Sequence, residues 1–371
     1  MVAPVRSTAA VLLVLLALLL AACGAPQAAQ QSQPAVQTAA QSPTEGGTVA
    51  AAQTGGAAQV KAGAVTVKVA VLPIFSYAPF FIAQEQGFFT EQGLKVQLVM
   101  LAGQADILPA LVSGQVDVGA GLISAGILTT IAKDSRFQIV ADKGYAAANG
   151  CDSYALVVRR SLVQAGVLQH TEQLRGGSIS FPRTSWLNYY AEKTLNKAGL
   201  KIEDLRQNEL TAAVQLGALN TGQIDLVGNN EPWITRFTQA GHSTIFTPAH
   251  ELLPDSQSSV TLYGPALVGK NAEVGKRFMI AYLKAVRQYN EGRTERNTAI
   301  MSKAVKLDPP LLKQMCWQPL RLDGRINVQS ILDFQNWALG KKFMRQAVTP
   351  EQFWNSAFVD YANKQLGAVG K

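Results

Sequence analysis

The chain has 371 residues, 48% of them hydrophobic and 16% charged, with a formal net charge of +8 at pH 7. Its Lys and Arg residues are dispersed, adjacent only in pairs such as Arg159-Arg160, Lys276-Arg277 and Lys341-Lys342, with no longer basic run and no interleaved aromatic platform, which argues against a nucleic-acid surface. No Gly-x-x-x-x-Gly-Lys-Ser/Thr phosphate loop occurs, which argues against nucleotide hydrolysis by this chain.

At the amino end, Arg6 precedes an apolar run from Ala9 to Ala22. A permanent membrane helix needs about 20 apolar residues, and this run instead stops at small residues before a cysteine. Residues 1–22 therefore read as a signal peptide. Leu20-Ala21-Ala22-Cys23 reads as a lipobox, which makes Cys23 the expected lipid-bearing residue and places the protein on the outer face of the cell membrane. Residues 23–64 are rich in Ala, Gln, Gly, Ser, Thr and Pro and hold too few large apolar side chains to offset their ordering entropy. They are expected to form a flexible tether. About 300 residues remain, enough for two modest lobes.

Those residues contain a duplication. Ala110-Leu111-Val112-Ser113-Gly114-Gln115-Val116-Asp117-Val118-Gly119 matches the run from Ala218 through Gly222-Gln223-Ile224-Asp225 to Gly228. Each is a helix end, a glycine stop and a buried strand. Upstream, Gly93-Leu94-Lys95-Val96 pairs with Gly199-Leu200-Lys201-Ile202. A strand over Val67–Leu72 followed by a helix over Pro79–Gln92 corresponds to a strand over Ser178–Phe181 followed by a helix over Trp186–Lys197. Strand, helix, strand, helix, strand in each copy predicts two α/β lobes with parallel sheets. Ligands of such sheets lie beyond the carboxyl ends of the strands, so two facing copies predict a central cleft. Asp117 and Asp225 resemble a carboxylate pair but fall at the same point of each copy, where hydrogen bonding to backbone is the expected role.

From about Pro265 the chain becomes long amphipathic helices, with Phe278, Tyr282, Leu283 and Val286 at helical spacing. These are expected to return to the first lobe. The expected partition is residues 65–145 with 265–371 in lobe 1 and 146–264 in lobe 2, with crossings near Asp142–Asn149 and Leu262–Pro265. Cys151 and Cys316 could pair, but sequence supplies no distance; two unpaired buried thiols are the expectation.

The run Tyr77-Ala78-Pro79-Phe80-Phe81-Ile82-Ala83-Gln84-Glu85-Gln86-Gly87-Phe88-Phe89, with Gly93-Leu94-Lys95-Val96 and Gly114-Gln115-Val116-Asp117, resembles the solute-binding lipoproteins of ABC importers that include sulfonate, nitrate, thiamine-pyrimidine and riboflavin binders. The resemblance implies a bilobal periplasmic-binding-protein fold of type II. It also implies hinge closure on a small-molecule solute, a monomer, and permease and ATPase partners. Pyrimidine-synthesising enzymes of the same superfamily use a cysteine-rich motif. Only Gly150-Cys151-Asp152 stands in its place here.

The cleft loops carry the candidate ligand contacts. Phe75, Tyr77, Trp186 and Trp233 could sandwich a flat solute, and Gln104, Ser124, Thr184, Ser185 and Glu231 could bond its heteroatoms. No catalytic set, metal-ligand spacing or cofactor motif is visible: His170, His242 and His250 have no ligand spacing. A non-enzymatic transport receptor is expected, with an exported enzyme as the rival class. The four rings place riboflavin first among solutes, a sulfonate such as taurine second, and the thiamine pyrimidine third.

Overall fold

A computed structural model describes residues 64–148, 151, 153–167, 169–241 and 243–367. The signal peptide, Cys23 and the tether lie outside the described residues. Ten strands form two five-stranded sheets. The first combines β1 (Val65–Val71), β2 (Leu94–Met100), β3 (Val118–Leu122), β4 (Gln138–Tyr145) and β10 (Gln257–Tyr263) in the order β2-β1-β3-β10-β4. The second combines β5 (Tyr154–Arg159), β6 (Ser178–Ser180), β7 (Arg206–Asn208), β8 (Leu226–Asn230) and β9 (Ser243–Pro248) in the order β7-β6-β8-β5-β9.

The duplicated strands are parallel within each sheet: β1 with β2 and β3, and β6 with β7 and β8. The other two strands make each sheet mixed. β10 runs antiparallel to β3 and β4, and β5 runs antiparallel to β8 and β9. These strands lie outside the repeat, so the duplicated pattern carried no sign of their direction.

The Gly-Gln-x-Asp motif works identically in both copies. Asp117 Oδ2 accepts from the Lys68 N–H on β1 at 2.8 Å, and Asp225 Oδ2 accepts from the Ser178 N–H on β6 at 2.8 Å. Each aspartate thus fastens the start of its third strand to the first strand of its own sheet. Arg159 adds an ion pair to Asp225 at 2.7 Å. Burial alone would raise the Asp225 carboxyl, but the Arg159 guanidinium and the N–H and hydroxyl of Ser178 outweigh it and lower the pKa.

Three expectations need correction. The helix read over Pro79–Gln92 is two, Ala78–Glu85 and Phe88–Glu91. Gly87 breaks it with φ 74°, in the left-handed region that favours glycine. The second crossing falls earlier than Leu262–Pro265, because β10 already belongs to the first sheet. Its seven residues are all buried between β3 and β4, so a boundary placed at the start of the amphipathic helices came one strand late. Finally, Cys151 and Cys316 form a disulfide with their Cα atoms 5.5 Å apart, across 165 residues of sequence.

The long helix Ala272–Tyr289 buries Phe278, Tyr282, Leu283 and Val286. It packs on Ala78–Glu85 and on Ala357–Leu366, covering one face of the first sheet. Another helix, Val328–Gly340, starts with Asn327 accepting from the Ser330 N–H at 3.1 Å. It reaches the second lobe, where Tyr189 meets Phe334 and Trp337 at ring distances of 6.1 and 5.5 Å. Among the described residues no helix is long and apolar enough to cross a membrane.

Candidate functional site

The carboxyl ends of the parallel strands of both sheets face each other, as does the start of β5 toward the start of β10. Two backbone hydrogen bonds join the lobes there. Trp186 donates its N–H to the Ile123 carbonyl at 2.8 Å, and Ala125 donates to the Thr184 carbonyl at 2.9 Å. Between them Ser124 and Ser185 form an isolated antiparallel bridge. The loop after β3 and the loop after β6 are therefore zipped together, and the lobes are closed.

This zipping fixes several of the expected site residues. The Ser124 hydroxyl caps the helix Ala125–Lys133 by accepting from Ile127 at 3.3 Å. Ser185 donates to the Pro182 carbonyl at 2.7 Å and is buried, while Thr184 is exposed. Gln104 is half-buried, and its amide lies so close to β3 that a Cβ on Gly121 would stand 1.9 Å from its nitrogen. Glu231 is buried and accepts from the N–H and hydroxyl of Thr235 at 3.0 and 2.8 Å. Burial raises its pKa, and Thr235 together with the Cys316 N–H pulls it partly back.

The four-ring sandwich is not formed. Phe75 and Tyr77 sit on a short 3-10 turn that folds back over the first sheet, and both are buried. Phe75 lies against Trp317 with centroids 5.4 Å apart, and the Tyr77 hydroxyl donates to the Ala120 carbonyl. Trp186 is wedged between Tyr154 at 5.1 Å and Tyr190 at 5.6 Å, with its Nε1 donating to Ser256 Oγ at 2.9 Å. Only Trp233 keeps some exposure, and it packs on Phe237 with the Arg236 guanidinium 4.6 Å from its ring centre. Ring faces expected to meet a solute are occupied by protein neighbours.

The facing edges bury many polar side chains. Ser76, Ser153, Ser185, Ser256, Ser258 and Ser259 are all buried. Tyr154 and Ser259 share a hydrogen bond at 2.8 Å across the lobes, and Ser153 donates to Gln318 Oε1 at 2.6 Å. Amid them lies Lys143, 1% exposed, near the carboxyl end of β4. Its Nζ donates to Ser76 Oγ at 2.7 Å and lies 3.9 Å from the centre of the Tyr77 ring. Burial pulls the ammonium down to about 7, with the Asp142 charge opposing that shift. Asp142 is raised to about 6 by burial, against hydrogen bonds from the Arg321 N–H, the Gln257 amide and the Gly144 N–H.

Sequence reasoning had named Ser185 but passed over Lys143 and the other serines. Two charged residues directly after the apolar Ile139-Val140-Ala141, and three serines in the run Ser256-Gln257-Ser258-Ser259, were the available signals. A cavity of about 360 Å³ adjoins the seam, lined by Cys151, Tyr289, Asn290, Gly292, Arg293, Trp317, Gln318 and Pro319. Its Trp317 backs onto Phe75, and its Gln318 accepts from Ser153. Among the described residues no group of three or more His, Cys, Asp or Glu side chains is placed to hold a metal ion.

Two mixed sheets closing a polar seam between their strand ends define a two-lobed α/β fold of the periplasmic-binding-protein kind. The chain belongs to the NMT1/THI5-like family, whose model matches residues 74–291. Proteins of Brucella abortus and Brucella suis, named no further than candidate binding proteins, are 24% identical over 229 residues, covering 61% of this chain and 67% of theirs. The ligand-binding component of an ABC-type import system from Staphylococcus aureus, solved with zinc bound, superposes with TM-score 0.70 at 17% identity, covering 80% of this chain and 99% of its own. The periplasmic aliphatic sulphonate binding protein of Escherichia coli gives TM-score 0.63 at 17% identity, over 79% and 92% of the two chains. The periplasmic nitrate-binding protein of Synechocystis gives 0.64 at 14%, over 82% and 89%.

Proposed function

We propose that this chain is the solute-binding subunit of an ABC import system, closing its two lobes on a small polar solute and delivering it to a membrane permease. The observation that carries the reading is the buried polar seam between the strand ends. A lobe contact built only for stability would be apolar there, because each buried hydroxyl or ammonium must recover its lost hydration. Support comes from the family and from structural neighbours, one named as the ligand-binding component of an import system and two as periplasmic binding proteins. The reading is non-enzymatic because the neighbours it leans on are named as binding components. Cys23 would carry the lipid that holds the tethered domain at the membrane, and Cys23→Ala should move the protein from the membrane to the soluble fraction.

The order of solutes changes from the one the sequence suggested. Riboflavin rested on four free aromatic faces, and three of these rings are buried among protein neighbours. A seam of hydroxyls with one cation suits a compact oxyanion better, so a sulfonate moves first, ahead of riboflavin and the thiamine pyrimidine. Thermal unfolding with taurine, riboflavin and the pyrimidine in parallel tests this, since a ligand that binds only the folded form raises the melting point. Taurine is expected to give the largest shift. A larger shift with riboflavin would restore the earlier order. No shift with any of the three, and no small molecule co-purifying by mass spectrometry, would reject the receptor reading.

A further inference from the structure

Lys143 is the group in this seam that protein chemistry explains least. It stands on a strand whose preceding residues Ile139, Val140 and Ala141 are apolar and buried, where Leu or Met would pack at far smaller desolvation cost. Among the described residues no ion pair engages its ammonium, and of its three donors one is given to Ser76. The neighbouring carboxylate does not fill the gap. Successive residues of a strand face opposite sides, and the Asp142 oxygens are held by the Gly144 and Arg321 N–H groups at 2.8 and 2.7 Å and by the Gln257 amide.

The position is as telling as the environment. Lys143 precedes by two residues the end of β4, after which the chain leaves for the second lobe. Its hydrogen-bond partner Ser76 and its ring partner Tyr77 lie on the loop after β1, so the ammonium bridges two strand ends of the cleft edge. Tyr154 of the second lobe lies close enough to Tyr77 for its phenol to add, after burial, to the rise in the Tyr77 pKa. Opening the lobes would separate Tyr154 from this edge and bring solvent and solute toward a cation that makes no ion pair in the closed protein.

We propose that Lys143 is the charge-reading residue of the cleft, pairing with a single oxyanion group of the solute, a sulfonate or carboxylate, while the Ser76 hydroxyl supplies a second donor. The assignment rests on the solute-binding reading and narrows it to monoanionic head groups. An oxyanion beside the ammonium favours its charged form, so binding just above neutral pH takes up a proton. The other charged and titratable groups around the position are Asp142 on the same strand, Tyr77 on the loop after β1, Tyr154 on β5, Tyr282 on the covering helix and Arg321 beside Asp142.

The test uses the full chain and matched probes: methanesulfonate and propanesulfonate against dimethyl sulfone and methyl propyl sulfone, and butyrate against butyramide. Thermal unfolding of wild type, Lys143→Met and Ser76→Ala is followed with each, and titration calorimetry of wild type at pH 8 is run in two buffers of different ionisation enthalpy. Anionic members should raise the wild-type melting point and their uncharged counterparts should not. Lys143→Met should fold with at least wild-type stability yet lose the anion response, Ser76→Ala should weaken it about tenfold, in line with one charge-assisted hydrogen bond, and calorimetry should show net proton uptake. If neutral sulfones stabilise the wild type as well as the sulfonates do, or Lys143→Met keeps the full anion response, the assignment falls while solute binding stands. If no probe shifts the wild type, the assignment falls, while the receptor reading stands or falls with the taurine, riboflavin and pyrimidine series and the search for a co-purifying solute.

Discussion

Ser124 and Ser185 face each other across the two lobes as a non-hydrogen-bonded antiparallel pair. The bonds lie on either side of them, from Trp186 to Ile123 and from Ala125 to Thr184. Such pairs hold their Cα atoms about 4.5 Å apart, within the span a disulfide bridges. The double variant Ser124→Cys/Ser185→Cys should cross-link under mild oxidation and hold the lobes shut. X-ray scattering would then give one radius with and without solute, and solute uptake would slow sharply until reductant is added, with wild type in the same reductant as control. Failure of the two thiols to cross-link would mean that the lobes do not close in this register.

The native disulfide joins the first crossing to the segment after the helix Pro309–Gln314. Closing a loop of 165 residues restricts the unfolded chain strongly, and removing such a bond from a protein typically costs about 2–5 kcal/mol. Cys151→Ser/Cys316→Ser should therefore melt several degrees lower. An unchanged melting point would place the bond's contribution near zero.

The two motif aspartates make a graded pair. Asp225→Ala strands Arg159 and the Ser178 N–H, leaving the Ser178 hydroxyl to the Gln223 carbonyl, and should cost about 2–4 kcal/mol. Asp117→Ala leaves the Lys68 N–H at a more exposed site and should cost about 1 kcal/mol. Urea midpoints would show the order. Because the Asp225 pKa is lowered from 3.8, its stabilisation is present above that pH and is lost only as pH falls through the depressed value. The gap between wild type and Asp225→Asn should accordingly hold from pH 7 to 5 and close in stronger acid.

Lys143 gives the opposite pH signature. Its folded-state pKa of about 7 lies below the ordinary 10.5, so the stability it supplies is complete above 10.5 and is lost as pH falls through 7. Wild type should gain on Lys143→Met by roughly a few kcal/mol between pH 7 and 10. Asp142, raised from 3.8 to about 6, acts lower: its contribution is full below 3.8 and lost as pH rises through 6. Denaturation of both proteins at pH 6, 7.5 and 9 separates the two, and parallel pH curves would contradict a buried Lys143.

The duplication made the architecture legible because a buried strand after a glycine stop leaves the same residue types wherever it occurs. Gly-Gln-x-Asp marked the third strand of each lobe, and its aspartates proved to make the same backbone bond twice. β10 was missed because its run Gln257-Ser258-Ser259-Val260-Thr261 does not look like a core strand: its polar residues are buried at the lobe edge rather than exposed. The site failed for a related reason. Phe75 and Tyr77 fall just after β1 and Trp186 opens the helix after β6, all at strand ends, but periodicity cannot tell whether such a segment points its rings outward or folds them back over the sheet. Lys143 escaped because a lysine on a strand ordinarily marks the solvent face.

Trp337 reaches from the first lobe to the second, donating its Nε1–H to Glu192 Oε2 at 2.9 Å, while Lys341 nearby pairs with Glu192 and Glu203 at 2.9 and 2.8 Å. These charged contacts lie at the rim, where dissolved ions weaken them. The indole is thus a built-in optical gauge of lobe separation. As the second lobe moves away, Trp337 loses its carboxylate partner and the Tyr189 ring 5.5 Å away and meets water, so its emission shifts to longer wavelength. A stopped-flow trace of that emission, with Trp337→Phe as the blank, would time each opening without any attached dye.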